Sequence, residues 1–191
     1  MYISDGGGVM GRHLERKLLR MIKKRDAKIA KLKKELSLDF GTGVLNKRQG
    51  FFRLKKQMER CHRANKPMSI AFVDVDKLKD INDQFGHSEG DKLLNRIATI
   101  IKKNIRKGDF VYRYGGDEFV TVFKEANINE AKEIWNRVKK KLHEENHKEK
   151  LPYKISLSIG FAEYRENINL HELIEHADKS MYKNKITNYQ E

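Results

Sequence analysis

The chain reads as an α+β domain, a ferredoxin-like βαββαβ unit whose central antiparallel sheet carries its helices on one face, with a helical extension at the N-terminus. Three observations predict this. Met68 to Asp76 is an apolar run ending in two carboxylates, the pattern of a buried strand. Phe110-Val111-Tyr112 and Val120-Thr121-Val122-Phe123 flank Gly115-Gly116, the pattern of a hairpin. Segments of helical periodicity fill the intervals between strands, and merging the two short ones after the first strand gives the order of the unit.

Taken in order, Met1 to Gly11, with its Gly6-Gly7-Gly8 run, predicts a flexible lead. Arg12 to about Ser37 is helical: Ile22, Ile29 and Leu36 recur at sevenfold spacing, Leu18 and Leu32 take the complementary heptad positions, and Glu15 and Arg25 interrupt the seam. A short imperfect coiled coil and a single amphipathic helix lying on the domain fit this pattern equally well. Residues 1–37 therefore form the extension and 38–191 the domain. Arg48 to about Arg63 is a helix bearing Phe51, Phe52, Leu54 and Met58, ended by Pro67. The strand 68–76 follows, then a short helix around Lys79 to Phe85, and a longer one from Asp91 to about Arg106 with Leu93, Leu94, Ile97, Ile100 and Ile101 inward. After the hairpin 110–123 come a helix from Ile128 to about Asn146 with Trp135 as a core residue, a strand from Tyr153 to Phe161, and a helix from Leu170 to about Lys185. In this topology the first strand adjoins the hairpin, which brings Asp74 beside Asp117.

At 191 residues the chain holds one ordinary domain plus a short extension, and no second full domain. The formal charge is +14, yet residues 1–36 carry 11 Lys or Arg against 4 Asp or Glu, so half the excess lies outside the domain. Such a basic helix can be a solvated face, an anionic-lipid contact or a nucleic-acid contact; with no nucleic-acid reading motif present, charge alone predicts no specific nucleic-acid partner. Cys61 is the only cysteine, which excludes an intrachain disulfide framework and a cysteine-rich zinc site. Its helical spacing after Leu54 and Met58 makes it half-buried packing. No stretch approaches the roughly 20 apolar residues that cross a bilayer, and no apolar signal core opens the chain. A soluble, cytoplasmic protein is expected.

The acids carry the chemistry. In Arg113-Tyr-Gly-Gly-Asp-Glu-Phe119 two carboxylates stand at a turn beside backbone with no Cβ to hold a ligand off, which suits a divalent cation and a polyphosphate. A solvated turn gives the same composition. Strand periodicity puts Asp74 and Asp76 on one face, where their repulsion calls for a cation, for Lys77 and Lys79, or for water. Two strand ends offering carboxylates suit two-metal, in-line attack on an α-phosphate, as in polymerase-like enzymes.

At this point the chain resembles the GGDEF domain, the diguanylate cyclase family. Asp39-Phe-Gly-Thr42-Gly43-Val-Leu-Asn46-Lys-Arg48 is similar to the family's entry motif. Asp74 to Asp91 is similar to its Asp-x-Asp-x-Phe-Lys-x-x-Asn-Asp and Gly-His-x-x-Gly-Asp elements; the Gly115–Glu118 signature, Ser156-Leu-Ser158-Ile-Gly160 and Ala177-Asp178-Lys-Ser-Met-Tyr182-Lys-Asn-Lys185 follow in order. Together they span roughly Leu38 to Lys185.

The resemblance implies a palm fold of the nucleotidyl-cyclase and polymerase type, condensation of two GTP into cyclic di-GMP with release of two pyrophosphates, Mg2+ with Mn2+ as a substitute, and a homodimer in which each subunit holds one GTP. It tilts the N-terminal segment toward a dimer-forming helix. It implies Asp74, Asp117, Glu118 and the carbonyl of Val75 as metal ligands, with Glu118 alternatively assisting deprotonation of the attacking 3′-hydroxyl, and leaves Asp76 to orient Lys79 or the loop. Asn82 and Asp91 become guanine contacts, against a local turn for Asn82 and a Ser88-x-x-Asp91 capping box. The turn Lys77-Leu78-Lys79 and Lys185 become phosphate contacts, and Arg106 with Asp109 an inhibitory product site, against a surface ion pair. Tyr189 stands where the family commonly has a phosphate-binding arginine; Gly41 and Leu78 depart more mildly. A catalytically silent domain that binds GTP or cyclic di-GMP is the alternative reading.

Overall fold

The computed structural model describes residues 7–148 and 151–188. It divides into two units between Ser37 and Leu38. The described residues of the first hold one helix, α1 (Gly7–Glu35). Helix therefore begins inside the stretch expected to be a flexible lead: once a helix exists, each residue added to its end gains a hydrogen bond without a new nucleation cost. Met1 to Gly6 lie outside the described residues. Leu18, Ile22, Ile29 and Leu36 of the expected seam are exposed, as are Leu14, Leu19 and Met21; the side chain of Leu32 lies outside the described residues.

The second unit comprises α2 (Lys47–Ala64), β1 (Met68–Val75), α3 (Leu78–Phe85), α4 (His87–Asn104), β2 (Phe110–Arg113), β3 (Glu118–Lys124), α5 (Ile128–Lys148), β4 (Leu157–Glu163) and α6 (Leu170–Asn188). The strands form one antiparallel sheet in the order β2-β3-β1-β4, the expected palm topology. Asn46 caps α2, its side chain accepting from the Gln49 N–H, and the chain leaves that helix through Asn65 in the left-handed region before Pro67.

The helices of the βαββαβ unit share one face as expected, and α2 and α6, which flank the unit, cover the other. Ala71, Val73, Val75, Phe119 and Phe123 pack with α3, α4 and α5, whereas Ile70, Phe72, Val120 and Val122 pack with α2 and α6. Alternate residues of a strand face opposite sides, so a sheet covered on both needs central strands apolar throughout, and all eight residues of β1 are buried. Trp135 lies in the first of these cores. Cys61 is fully buried in the second rather than half-buried, where its sulfur meets the Gln57 side chain at 3.2 Å.

β4 starts four residues later than expected. Pro152 has no N–H to give a ladder, the Tyr153 ring packs tilted against Phe85 and its hydroxyl donates to Glu89 Oε1 (2.8 Å), and the Asn146 side chain bonds both the N–H and the carbonyl of Ile155. Side chains of α3, α4 and α5 thus hold this segment. α4 starts four residues earlier than expected, with Gly86 (φ +84°) as its N-cap.

Candidate active site

Asp74, next to last in β1, faces the α2/α6 side and is 9% exposed. Register places it opposite Glu118, and the Val75 N–H donates to the Asp117 carbonyl at 3.1 Å. The strand order therefore joins the two acidic clusters, as the topology predicted. The reciprocal bond from the Asp117 N–H to the Val75 carbonyl is not formed, and the β1–β3 ladder ends at the Asp74–Glu118 pair. From α6, Lys185 Nζ donates to Asp74 Oδ1 at 2.6 Å.

These carboxylates are uneasy as anions. Burial pushes the Asp74 carboxyl up; Lys185 opposes that, and Asp117 and Asp76 add to it. Burial likewise pushes Glu118 up, reinforced by the charges of Asp117, Asp178 and Asp74 and partly offset by Lys47. Asp178 and Lys47 were not assigned site roles from sequence. Among the described residues no three Asp, Glu, His or Cys side chains form a ready metal cage. Across the β1–β3 pair, Asp74 and Glu118 offer the carboxylate oxygens that a hard divalent cation takes alongside retained waters and substrate phosphates.

The signature turn is gripped from one side. Arg113 Nε donates to the carbonyls of Gly115 (3.1 Å) and Gly116 (3.2 Å), Nη2 donates to Gly116 at 2.6 Å, and Nη1 reaches Asp39 Oδ1 at 3.1 Å. Asp39 also accepts from the Thr42 hydroxyl (2.7 Å) and N–H (3.0 Å). Burial works against the Asp39 anion, but the hydrogen bonds from Thr42 and Arg113 outweigh it and hold this carboxyl below its usual range. A Cβ at Gly115 would lie 2.3 Å from Glu118 Oε2, so a larger residue here would push this carboxylate from its place over the turn.

Asp76 does not pair with Asp74 or orient Lys79. Beyond the end of β1 it turns to β4, accepting from the Ser156 and Ser158 hydroxyls at 2.6 Å each while its N–H donates to the Ser156 carbonyl at 3.1 Å. The next residue, Lys77, is left-handed (φ +57°) and caps α3 without a side-chain hydrogen bond. For a non-glycine residue this conformation costs roughly 1–2 kcal/mol. It leaves the first N–H groups of α3, those of Leu78 and Lys79, without intrahelical partners, as at any helix start.

Asn82 of α3 sits against Gly90 of α4, where a Cβ would fall 1.9 Å from Asn82 Oδ1. This close approach puts the Asn82 amide beside the segment bearing the exposed Asp91. The capping-box reading of Asp91 is corrected: because Gly86 caps α4, Ser88 already lies inside the helix and cannot be its N-cap.

Asp109 makes no ion pair with the Arg106 side chain. Its carboxylate accepts from the backbone N–H groups of Arg106 and Lys124, at 3.0 Å each, while its own N–H donates to the Arg106 carbonyl. Burial pushes its pKa up and these bonds oppose that. Asp109 thus fixes the turn entering β2, and the exposed Arg106 rides on it. Tyr189 lies outside the described residues.

Residues 36–190 match the family model described as diguanylate cyclase, GGDEF domain. The chain is 38% identical over 153 residues to diguanylate cyclase DosC of Escherichia coli (strain K12), an overlap of 78% of this chain and 33% of that one, so it spans about a third of the length of this relative. Among solved structures it resembles diguanylate cyclase SiaD of Pseudomonas aeruginosa, in complex with its activator SiaC (TM-score 0.78, 26% identity, 94% of this chain and 73% of that one). It shares its fold with the coiled coil and GGDEF domain of DgcB from Caulobacter crescentus (TM-score 0.81, 21% identity, 93% and 95%). No described helix is long and apolar enough to cross a membrane. Taken together, the palm topology, the signature turn and the family match establish that this chain belongs to the GGDEF domain family of diguanylate cyclases.

Proposed function

We propose that this chain is a catalytic domain that condenses two GTP into cyclic di-GMP and two pyrophosphates. The observation that carries the reading is the register of Asp74 opposite Glu118 and next to Asp117, with the Asp74 and Glu118 carboxyls both pushed up by burial and by neighbouring negative charge. The carboxylates of Asp74, Asp117 and Glu118 with the Val75 carbonyl would hold Mg2+. When bound, the ion would polarise the α-phosphate and offset charge on the attacking and leaving oxygens.

In each half-reaction a 3′-oxygen forms a bond to the partner's α-phosphorus, the α–β bridging bond breaks and pyrophosphate leaves with the electron pair. The hydroxyl proton passes to Glu118 or to water. The N–H groups of Lys77, Leu78 and Lys79, at the start of α3, and the ammonium of Lys185 are suited to the triphosphate. Asn82 and Asp91 are suited to guanine: a carboxylate accepts from its N1 and N2 hydrogens, which adenine does not present.

One half-site cannot close the ring, so two subunits must face one another, and the exposed apolar stripe of α1 supplies a surface for pairing. Arg106, exposed and steadied by the Asp109 turn, supports product feedback. Incubation with GTP and Mg2+ followed by separation of the nucleotides tests the reading. Cyclic di-GMP and pyrophosphate in a 1:2 ratio are expected; binding of GTP without product from a dimeric sample would leave a nucleotide-binding regulator instead.

A further inference from the structure

We infer that Asp76 is a positioning residue for the triphosphate, acting through a clamp it forms with Ser156 and Ser158. This rests on the cyclase reading above and adds to it a residue that neither binds metal nor touches substrate. The carboxylate of Asp76 takes both serine hydroxyls at 2.6 Å, one on each oxygen, and its N–H takes the Ser156 carbonyl at 3.1 Å. Three bonds thus tie one residue of the β1–α3 turn to the segment that enters β4, some 80 residues away in the chain.

The clamp sits one residue before a strained position. Lys77 is held left-handed, and its carbonyl accepts from the Ile81 N–H (3.1 Å) to open α3. Its own side chain makes no capping bond. A sparsely populated conformation persists where the surroundings over-determine it, and the bonds that do so here come from Asp76 on one side and α3 on the other. Were Lys77 to relax to an ordinary conformation, the chain would enter α3 from another direction, and the N–H groups that open α3 would be re-aimed. Both oxygens of Asp76 already accept short bonds from hydroxyls, which accounts for this acid standing two residues after Asp74 without joining the metal set.

Three variants test the clamp: Asp76→Ala, the double variant Ser156→Ala/Ser158→Ala, and Asp76→Asn, which keeps an acceptor for one serine and offers the other a donor. In each, GTP kinetics would be measured together with calorimetric binding of a non-hydrolysable GTP analogue and Mn2+ binding followed by electron paramagnetic resonance at saturating analogue. Asp76→Ala and the serine pair should raise KM and weaken analogue binding alike, by about tenfold to a hundredfold, with a smaller change in kcat. Combining them should add little, because they break the same bonds. Asp76→Asn should recover most of the loss, and Mn2+ binding should match wild type throughout. If the serine pair behaves as wild type while Asp76→Ala loses Mn2+ binding, Asp76 is a metal ligand and the inference is overturned; undiminished analogue binding by Asp76→Ala overturns it equally. Failure of the wild type to bind the analogue would instead remove the cyclase reading itself.

Discussion

Arg113 Nη1 lies 3.1 Å from Asp39 Oδ1, joining the turn that opens the domain to the signature hairpin across 74 residues of sequence. The same guanidinium holds the carbonyls of Gly115 and Gly116, so the entry turn and the acidic turn form one unit. Arg113→Ala should lower kcat by about tenfold or more through a loosened hairpin. It should also cost about 1–2 kcal/mol of stability, the size of a partly buried charge-assisted pair, read from urea unfolding.

Asp39 fixes the pH dependence of that contribution. Its folded pKa lies below the usual 3.8, so the unfolded chain takes up the proton first as pH falls. The stabilisation is therefore fully present above pH 3.8 and is lost as pH drops through the lower, folded value. Asp39→Asn should be less stable than wild type at pH 7, and the difference should close in acid; a gap that stays constant from pH 7 into the acid range would contradict the assignment.

Glu118→Gln removes a negative charge crowded by Asp117, Asp178 and Asp74. Without divalent cation this variant should melt at a higher temperature than wild type while losing at least about a hundredfold in kcat. Differential scanning calorimetry and product assays on one sample check both halves. A lower melting temperature would show that the carboxylate stabilises the fold.

Gly90→Ala places a methyl where the Asn82 amide lies. Displacing that amide should raise KM for GTP by about tenfold with little change in kcat, whereas Asp91→Ala should also narrow the preference for GTP over ATP. Competition between the two nucleotides measures this. An unchanged preference in Asp91→Ala would remove Asp91 from base recognition.

Arg106 and Asp109 should separate in experiment. Asp109→Ala leaves two backbone N–H groups without their acceptor and should lower the melting temperature by several degrees. Arg106→Ala should leave it unchanged and relieve inhibition by added cyclic di-GMP. Equal thermal losses in both would point to a structural role for the pair.

The strands, the helices and the meeting of Asp74 with Asp117 were legible because each rests on periodicity and strand order, which short stretches of sequence carry. Helices on both faces were hinted at by the unbroken apolar run of β1, since a strand with one wet face alternates. The start of α4 was misplaced because its cap is Gly86 at positive φ, a backbone conformation rather than a side-chain signal. Arg113 with Asp39, and Asp76 with Ser156 and Ser158, could not be paired from sequence: tertiary geometry chooses among many equally plausible polar partners. Asp39 and Thr42, three residues apart, did carry a local turn signature that could have marked the entry turn as rigid.

Electron paramagnetic resonance of Mn2+ with 3′-deoxy-GTP, which binds but cannot attack, tests the acid pocket most directly. Wild-type protein should bind ion and nucleotide together, and Asp74→Asn and Asp117→Asn should each abolish ion uptake while the fold persists. Wild-type uptake in both variants would contradict a metal site built where β1 meets the hairpin.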